Sequence, residues 1–521
     1  MTPTLPRREL LVGVSSFGAS AALGGCATSP EDVVPLRRRH FLHGVASGDP
    51  LPAAVILWTR VTPDVAGPVT VTWEIATDPS FATIVGSGIF VTDAERDFTV
   101  KVDAVGLAPA TSHFYRFEAL GERSVIGRTR TAPSVATSRL RFAVASCSSY
   151  AHGYFHAYRA LANRADLDAV LHLGDYLYEY ASGEYGKIRD YDPPHATVTL
   201  EDYRRRYAHY RRDADLQAVH RQHPFLCVWD DHEFANNAHR TGAENHTPGL
   251  EGSFEDRKRA AIRAHAEWMP FREQAGGRIY RSFAYGDLAE IFLLDTRVWG
   301  RSLQVETSND PSLADPAHTI LGEDQEEWLA AGLAASKARY KLVGQQVVMA
   351  HLKSFFNGDA WDGYPGSRAR LFDVIETGAI DDVVVLTGDI HASFASELAR
   401  DPYGPGYEPV SGKGALAVEF VTPGISSPGF PPALANLAAT ATGENRHIKY
   451  AELTLRGYVV LDLDPQRLQA AWFHYDDVVN PDAATESFAR AYRLATGSRH
   501  LVEDGEPATP TGEIPTLAPA D

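Results

Sequence analysis

The sequence predicts an α/β domain preceded by an all-β sandwich domain. Residues 40–135 contain short β-type runs throughout, whereas hydrophobic strands alternate with helical segments from residue 139 onward. Several of these later strands run directly into acidic, histidine or cysteine side chains. Because open α/β sheets build their sites at the carboxyl ends of strands, these observations also predict a polar site at that edge.

Length and charge limit the classes of function. A chain of 521 residues is longer than one ordinary hydrophobic core, which favours two domains. The formal net charge of −18 argues against a basic surface that coats nucleic acid. An anionic ligand gains no attraction from such a chain as a whole. Positive charge must therefore be concentrated locally, and bound metal is the obvious source.

The N-terminus is typical of an export signal. Arg7 and Arg8 precede a mildly apolar run over residues 10–23, which is too short for a membrane span and matches a twin-arginine signal peptide over residues 1–26. This predicts a periplasmic or extracellular protein that is exported folded, often with its cofactor already bound. Leu23-Gly24-Gly25-Cys26 resembles a lipobox, so Cys26 is either a lipidated membrane anchor or lost on cleavage. Cys147 and Cys227 then remain, with a disulfide between them left open.

The first domain is predicted from alternating, β-branched runs. Residues 69–75, 98–102 and 114–118 are such runs, with Gly, Pro and Asp clusters between them. Their spacing over residues 40–135 predicts an immunoglobulin-like or fibronectin-like sandwich. Residues 133–138 are the expected linker to the second domain.

The second domain is predicted over residues 139–495. Its expected buried strands cover residues 140–145, 169–173, 225–229, 289–294, 342–349 and 383–386, and its expected helices include residues 253–268 and 323–338. The Pro-rich tail, residues 500–521, is predicted to be disordered.

A further helix is expected to begin at Thr199, where Asp202 completes a capping box. Tyr203, Tyr207 and Tyr210 share one face, and several arginines, from Arg204 to Arg212, occupy the others. We favour a core stripe with solvated charge over a phosphate-binding patch.

Five predicted strands end in residues that can ligate metal. The residues that follow them are Ser146-Cys147-Ser148, Gly174-Asp175-Tyr176-Leu177-Tyr178-Glu179, Asp230-Asp231-His232-Glu233, His351, and Gly388-Asp389-Ile390-His391. Turn chemistry favours Asp, Asn and Gly, but it does not favour His, Cys and Tyr at the same edge. The pattern therefore indicates a site rather than a set of turns.

These residue types suit a pair of cations. Two cations a few ångströms apart neutralise a phosphoryl group and lower the pKa of bound water, which is the requirement for hydrolysing a phosphate ester. A thiolate and a phenolate suit a strongly Lewis-acidic ion such as Fe³⁺, so Cys147 and Tyr178 favour iron at one position. Carboxylate and amide oxygens suit Ca²⁺, Mg²⁺ or Mn²⁺ at the other.

At this point the chain resembles the PhoD-type alkaline phosphatases. The motifs are Phe41-Leu42-His43-Gly44-Val45-Ala46-Ser47-Gly48-Asp49-Pro50, Leu57-Trp58-Thr59-Arg60, Ser146-Cys147, Gly174 to Glu179, Trp229 to Glu233 with Asn236-Asn237, and Gly388 to His391. The family is similar in its site to purple acid phosphatases. The resemblance implies a calcineurin-like metallophosphoesterase α/β sandwich as the second domain.

The resemblance also implies a ligand set. Fe³⁺ would be held by Cys147, Asp175, Tyr178 and His391, with Asp175 bridging. One or two Ca²⁺ ions would be held by Asp175, Asp389 and oxygen donors of residues 230–237, with Mn²⁺, Mg²⁺ or Zn²⁺ as substitutes.

Further roles follow from the same resemblance. Asp231 is the preferred ligand of its loop, Asn237 is a further ligand that cannot be separated from Asn236, and His351 resembles a histidine ligand of the superfamily. His232 is the candidate phosphate contact or general acid.

The function implied is hydrolysis of phosphate monoesters, and also diesters, through a metal-bound hydroxide, releasing inorganic phosphate. One alternative is a phosphodiesterase or phospholipase D-like activity at the same site. A second is a non-enzymatic, surface-anchored binding protein, which the complete ligand set disfavours. The expected partners are small phosphorylated substrates and phosphate, and the sequence leaves the oligomeric state open.

Other polar residues receive structural interpretations. Asp295 and Arg297 follow a predicted strand and either support the site or pair with each other, and we favour a structural role. Isolated histidines such as His156 and His172 are assigned no function.

Overall fold

The described part of the chain contains three β-sheets, and α-helices cover the two larger ones. The computed structural model describes residues 39–353, 355–482, 484–511 and 514–520. The predicted signal peptide and Cys26 lie outside these residues. No helix in the described ranges combines the length and the apolar character that crossing a membrane requires.

The largest sheet has ten strands. Its strands are β1 (Val45–Leu51), β2 (Ala54–Arg60), β5 (Thr99–Val105), β9 (Leu140–Ala145), β10 (Ala169–His172), β11 (Pro224–Cys227), β19 (Arg456–Leu463), β20 (Arg467–Tyr475), β21 (Glu486–Ala495) and β22 (Leu501–Asp504). They are ordered β22-β21-β20-β19-β9-β10-β11-β1-β2-β5. The run from β9 through β10 and β11 to β1 is parallel.

The second sheet has seven strands. They are β12 (Arg281–Tyr285), β13 (Ala289–Leu293), β14 (Tyr340–Gly344), β15 (Val383–Thr387), β16 (Ser393–Ala399), β17 (Ala415–Val421) and β18 (Ile448–Glu452). They are ordered β12-β13-β14-β15-β17-β16-β18, and the β13-β14-β15-β17 run is parallel.

The third sheet lies in the N-terminal region. It contains β3 (Val69–Ala76), β4 (Ile84–Thr92), β6 (Ser112–Ala119), β7 (Glu122–Arg123) and β8 (Gly127–Arg130), ordered β4-β3-β6-β7 with β8 also paired to β6.

Seven α-helices cover the two larger sheets. They are α1 (His156–Ala162), α2 (Leu200–Tyr210), α3 (Ala214–Gln222), α4 (Phe254–Trp268), α5 (Glu323–Ala335), α6 (Pro365–Thr377) and α7 (Leu437–Glu444) in the described residues. Alternate residues of β15 show the layering. Val384 and Leu386 pack in the core shared with the ten-stranded sheet, whereas Val383 and Val385 pack with α5 and α6. Buried on both faces, such strands are uniformly apolar, which is why the sequence marks them clearly.

The N-terminal sandwich is not separate from the α/β domain. Its two layers are β1, β2 and β5 on one side and the third sheet on the other, joined by a common apolar core. However, β1 also pairs in parallel with β11, with Ser47 opposite Pro224 and Gly48 opposite Phe225. One continuous sheet therefore serves both the sandwich and the α/β domain.

Helix α2 begins as predicted, but its arginines differ from the prediction. The Thr199 side chain accepts from the Asp202 amide and Asp202 accepts from the Thr199 amide, which completes the capping box. Arg206 and Arg211 are fully buried rather than solvated. Arg206 donates to the main-chain carbonyls of Tyr178 and Tyr180, because a buried guanidinium must find acceptors for its N–H groups.

The C-terminal tail is ordered where the structure describes it, contrary to the predicted disorder of residues 500–521. Strand β22 pairs with β21. Beyond it, the carbonyl of Ala508 accepts from Arg141, and that of Ala518 accepts from Gln222. The tail therefore uses its backbone groups as hydrogen-bond partners, a contribution that composition does not reveal.

Candidate metal centre

Four loops meet where the parallel strands of the two larger sheets end. They follow β9, β10, β11 and β15, and they carry Cys147, residues 174–179, residues 230–237 and residues 388–391. Because the two sheets are stacked with these ends on the same side, side chains that are distant in sequence come together there. The convergence that the sequence predicted is found.

The backbone at this edge is unusual. Five residues predicted as ligands adopt positive φ, namely Cys147 (61°), Asp175 (54°), Asn237 (53°), Asp389 (61°) and His391 (55°). Residues other than glycine rarely adopt this conformation, and it costs of order 1 kcal/mol or more each. Strained backbone of this kind concentrates at functional sites, where the surrounding structure holds it in place.

Gly174 and Glu233 determine how closely the loops after β10 and β11 approach each other. Gly174 has φ 101°, and a Cβ there would lie 2.4 Å from the Cβ of Asp230. The buried carboxylate of Glu233 accepts from the amides of Asp175, Tyr176 and Asp230 at 3.0, 2.7 and 2.8 Å. The loops after β10 and β11 are therefore fastened to each other through their main chains.

The first group of candidate ligands is Cys147, Asp175 and His391. One donor atom from each lies within 4.8 Å of the others, and all three are buried. The Tyr178 hydroxyl donates to Asp175 Oδ2 at 2.8 Å and lies 3.1 Å from His391 Nε2. Thiol, carboxylate, imidazole and phenol therefore surround one point.

Two neighbouring residues, Ser427 and Pro428, fix the orientation of Tyr178 and His391. His391 Nδ1 donates to the carbonyl of Pro428 at 2.9 Å, which leaves Nε2 as the nitrogen that faces Asp175. Ser427 Oγ donates to the Tyr178 hydroxyl at 2.7 Å. Partners of this kind orient metal ligands and fix the histidine tautomer.

Two further groups continue from the first. Asp175, Asp231 and His232 form one, and Asp230, Asp231 and Asp389 form the other, each within the same 4.8 Å limit. Because Asp175 and Asp231 are each shared between groups, the three groups form one continuous, carboxylate-rich centre. Asp175 therefore connects the first group to the second.

Buried oxygens without partners indicate what the centre binds. Asp175 Oδ1, Asp230 Oδ2 and Asn237 Oδ1 have no hydrogen-bond partner among the described residues. Asn237 contacts Asp231 through its amide nitrogen and Glu244 through Nδ2, so its orphan atom is the oxygen. Buried acceptors are rarely left unsatisfied, and cations are the natural partners of clustered carboxylate and amide oxygens.

Burial also acts on the titratable ligands. It raises the pKa of the Cys147 thiol and of the Tyr178 hydroxyl well above their usual values, with the nearby Asp175 carboxylate adding to the effect. Burial likewise raises the pKa of Asp230, against the opposing charge of Arg297. A bound cation reverses this because it stabilises thiolate, phenolate and carboxylate, so the donor set fits metal.

His232 lies at the centre in a different setting. Its Nδ1 is 2.8 Å from Glu179 Oε2, and its ring lies 4.3 Å from the ring of Tyr178. Burial alone would lower the pKa of His232, but the carboxylates of Asp231, Glu179 and Asp175 raise it well above the usual value. His232 can therefore hold a proton, with Glu179 fixing its orientation.

Arg297 is part of the centre, contrary to the favoured prediction of a purely structural residue. Its fully buried guanidinium donates to Asp230 and, at 2.9 Å, to Asp359 and Asp389. It does not pair with the Asp295 side chain in the way considered from the sequence. Instead, Asp295 accepts from the Arg297 amide at 2.8 Å.

His351 does not join the centre, so the prediction that it is a metal ligand is wrong. Strand β14 ends at Gly344 rather than running on to residue 349, so the chain leaves the sheet well before His351. Its Nδ1 lies 2.7 Å from Asp362, and it lines a separate cavity of about 220 Å³ with Tyr403 and His447. Among the described residues it belongs to none of the three ligand groups.

Several residues that orient the candidate ligands were assigned no such role from the sequence. Glu179 and Glu233 were visible in the motifs, and their positions after strands could have marked them as orienting groups. Ser427, Asp359 and the role of Arg297 have no local signal, because only the tertiary fold brings them to the centre. Cys147 and Cys227 are both free and buried, which closes the question of a disulfide between them.

Comparisons with known proteins agree over nearly the whole chain. The family model described as PhoD-like phosphatase matches residues 142–472, and its N-terminal domain model matches residues 25–133. Alkaline phosphatase D of Bacillus subtilis (strain 168) is 37% identical over 479 residues, covering 86% of this chain and 80% of that protein. A solved structure described as "Structure of PhoD" superposes with a TM-score of 0.83 at 34% identity, covering 91% of this chain and 94% of that one.

Fold, site and matches together define a phosphoric ester hydrolase. The chain belongs to the PhoD-like phosphatase family. The predicted fold class and the prediction of an enzyme rather than a binding protein are thereby confirmed.

Proposed function

We propose that this protein is a metal-dependent phosphatase that hydrolyses phosphate monoesters, releasing inorganic phosphate. The observation that carries the proposal is the continuous centre in which Asp175 and Asp231 each belong to two ligand groups. A centre of this kind can hold two adjacent cations, and phosphoryl transfer benefits from a cation on each side of a shared carboxylate.

We assign the two positions by donor chemistry. Cys147, Tyr178, His391 and Asp175 would hold Fe³⁺, since thiolate and phenolate suit a strongly Lewis-acidic ion. Asp175, Asp231, Asn237 and Asp389 would hold Ca²⁺, with Mn²⁺, Mg²⁺ or Zn²⁺ as substitutes. When bound, such ions neutralise phosphoryl charge and lower the pKa of water.

The protein's own groups position the substrate and move one proton. His232 Nε2 is the nitrogen not engaged by Glu179, so it can donate a hydrogen bond to a phosphoryl oxygen or its proton to the leaving oxygen. Glu179 keeps the ring oriented through Nδ1 before and after that transfer. Tyr178 packs against the same ring and limits its rotation.

Asp175→Asn tests the proposal. The variant removes a charge from the shared position and is expected to lose both metal content, by elemental analysis, and hydrolysis of a chromogenic monoester. Asp462→Asn is the matched control. This buried carboxylate pairs with Arg141 at the opposite end of β9, so folded protein should keep metal and activity. Full activity in metal-loaded Asp175→Asn protein would contradict the proposal.

The same assay addresses the alternative activity. A phosphodiesterase or phospholipase D-like enzyme would use the same centre, so wild-type rates on a chromogenic monoester and diester are compared. Faster turnover of the diester would replace the monoesterase assignment.

We also propose export by the twin-arginine route to the periplasm or the cell exterior. The support is Arg7-Arg8 before the apolar run, with Cys26 either lipidated or removed. Because this route carries folded proteins, it is compatible with a centre assembled before export.

A further inference from the structure

The guanidinium of Arg297 lies among four aspartates. It donates to Asp230 and Asp389, donates through Nη1 to both carboxylate oxygens of Asp359 at 2.9 Å, and lies 3.6 Å from Asp231 Oδ1. Arg297 and Asp230 have no exposed side-chain surface. Removing either partner of a buried pair leaves an uncompensated charge, so these contacts determine the local arrangement.

The guanidinium contacts one particular oxygen of each of two carboxylates in the centre. It takes Oδ1 of Asp230, whose Oδ2 is one of the orphan oxygens of the centre, and Oδ1 of Asp389. Because a guanidinium is a rigid planar fork, its contacts set the rotation of both carboxyl groups together. The more flexible ammonium of lysine cannot reproduce two such contacts at once.

Arg297 is itself held from the side away from the ligands. Arg301 donates to Asp359 at 2.6 Å, which secures the carboxylate that anchors Arg297. Gln346 Oε1 accepts from the amide and hydroxyl of Thr296 at 3.0 and 2.6 Å, which fastens the preceding residue. The guanidinium is therefore placed by a buried network of protein groups.

We propose that Arg297 is a positioning residue for the second cation of the centre. It fixes the rotation of Asp389, which is an assigned ligand, and of Asp230 beside it, around the position assigned to Ca²⁺. It also places one positive charge among four clustered carboxylates. The inference rests on the proposed pair of cations.

Calcium titration of metal-stripped Arg297→Lys protein tests this role. The variant keeps the positive charge but loses the planar guanidinium. The dissociation constant for Ca²⁺, measured by calorimetric titration with CaCl₂, is expected to rise about 10- to 100-fold, as for other residues that orient metal ligands. Iron content of the variant as purified, measured by elemental analysis before metal is stripped, should match that of the wild type, because the ion-pair partners of Arg297 are Asp230, Asp231, Asp359 and Asp389 rather than the proposed iron ligands. Arg281→Lys is the control, since Arg281 is a buried arginine paired with Asp49.

Asp359→Asn provides a second route. It loosens the anchor of Arg297 without altering a proposed ligand, so weaker calcium binding there as well supports the role, and it decides the matter if Arg297→Lys does not fold. Unchanged calcium affinity in either folded variant overturns it, as does an equal loss in Arg281→Lys. If the wild-type protein itself binds no calcium, the proposed calcium position is wrong and the role of Arg297 fails with it. If the wild type binds calcium but the variants bind it equally well, only the role of Arg297 is wrong.

Discussion

At the scale of single residues, the proposed proton transfer depends on the pairing of His232 with Glu179. Glu179 is buried and accepts from His232, from the Asn236 amide and from Asn245 Nδ2. Burial would raise the pKa of Glu179, but the charge of His232 and these hydrogen bonds lower it instead. A carboxylate that stays ionised keeps the imidazole oriented and able to carry a proton.

His232→Asn is expected to lower kcat about 10²- to 10³-fold, in the range for loss of a general acid. Its metal content should match that of the wild type, since His232 is assigned no ligand role. Steady-state kinetics and elemental analysis measure the two quantities. His156→Asn is the control, because His156 is bonded to the Asn480 carbonyl and is assigned no function. Loss of metal in His232→Asn would identify a ligand instead.

Residue patterns could predict those members of the centre that stand directly after a strand. Cys147, Asp175 and His391 were found because each follows a clear apolar run. Arg297 was misjudged because its partners Asp230 and Asp389 lie far away in sequence, so only the packing of the two sheets reveals them. The prediction for His351 failed for a local reason, since the sequence becomes apolar again at Val347 although the strand ends at Gly344.

At the scale of elements, helix α2 supports the loop that carries Tyr178. Arg206 is fully buried and donates to the carbonyls of Tyr178, Tyr180 and Pro193. Its guanidinium also stacks 4.1 Å from the centre of the Tyr191 ring. The helix therefore fixes a loop that has little regular structure of its own.

Arg206→Gln is expected to lower the free energy of unfolding by roughly 3 kcal/mol, because several carbonyls lose a charged donor. Arg205→Gln is the neighbouring control. Arg205 is 44% exposed and pairs with Asp192 at the surface, so its loss should cost less than about 1 kcal/mol. Denaturant unfolding of both variants measures the difference, and equal effects would refute a supporting role for α2.

The boundaries predicted from the sequence match the observed ones for two elements of the α/β region. Strand β9 has the predicted bounds, and α4 ends at Trp268, shortly before Pro270. The burial of Arg206 and Arg211 could not be foreseen, because charged residues on a helix normally face solvent.

At the scale of the whole molecule, the shared sheet joins the two predicted domains. Besides the β1–β11 pairing, Trp58 of β2 is fully buried and donates to the carbonyl of Glu267 in α4 at 2.8 Å. Strand and helix patterns predicted a β-rich region followed by an α/β region, but they could not predict this pairing, since parallel strands distant in sequence leave no local pattern.

A fragment starting at residue 139 is therefore expected not to fold into a soluble monomer. Without β1, strand β11 becomes an open sheet edge, and such edges promote association between chains. Size-exclusion chromatography and thermal unfolding, run beside the chain from residue 39 to its end, test this. A monomeric fragment with a cooperative transition would show that the α/β region is independent.

The spread of the centre along the chain has a consequence for biosynthesis. Cys147 and Asp175 leave the ribosome early, whereas His391, Pro428 and Ser427, which complete or orient the same group, emerge only when most of the polypeptide has been made. A nascent chain thus offers a thiol and a carboxylate without their imidazole partner. Stable capture of the proposed ion would therefore have to wait until most of the chain has been made.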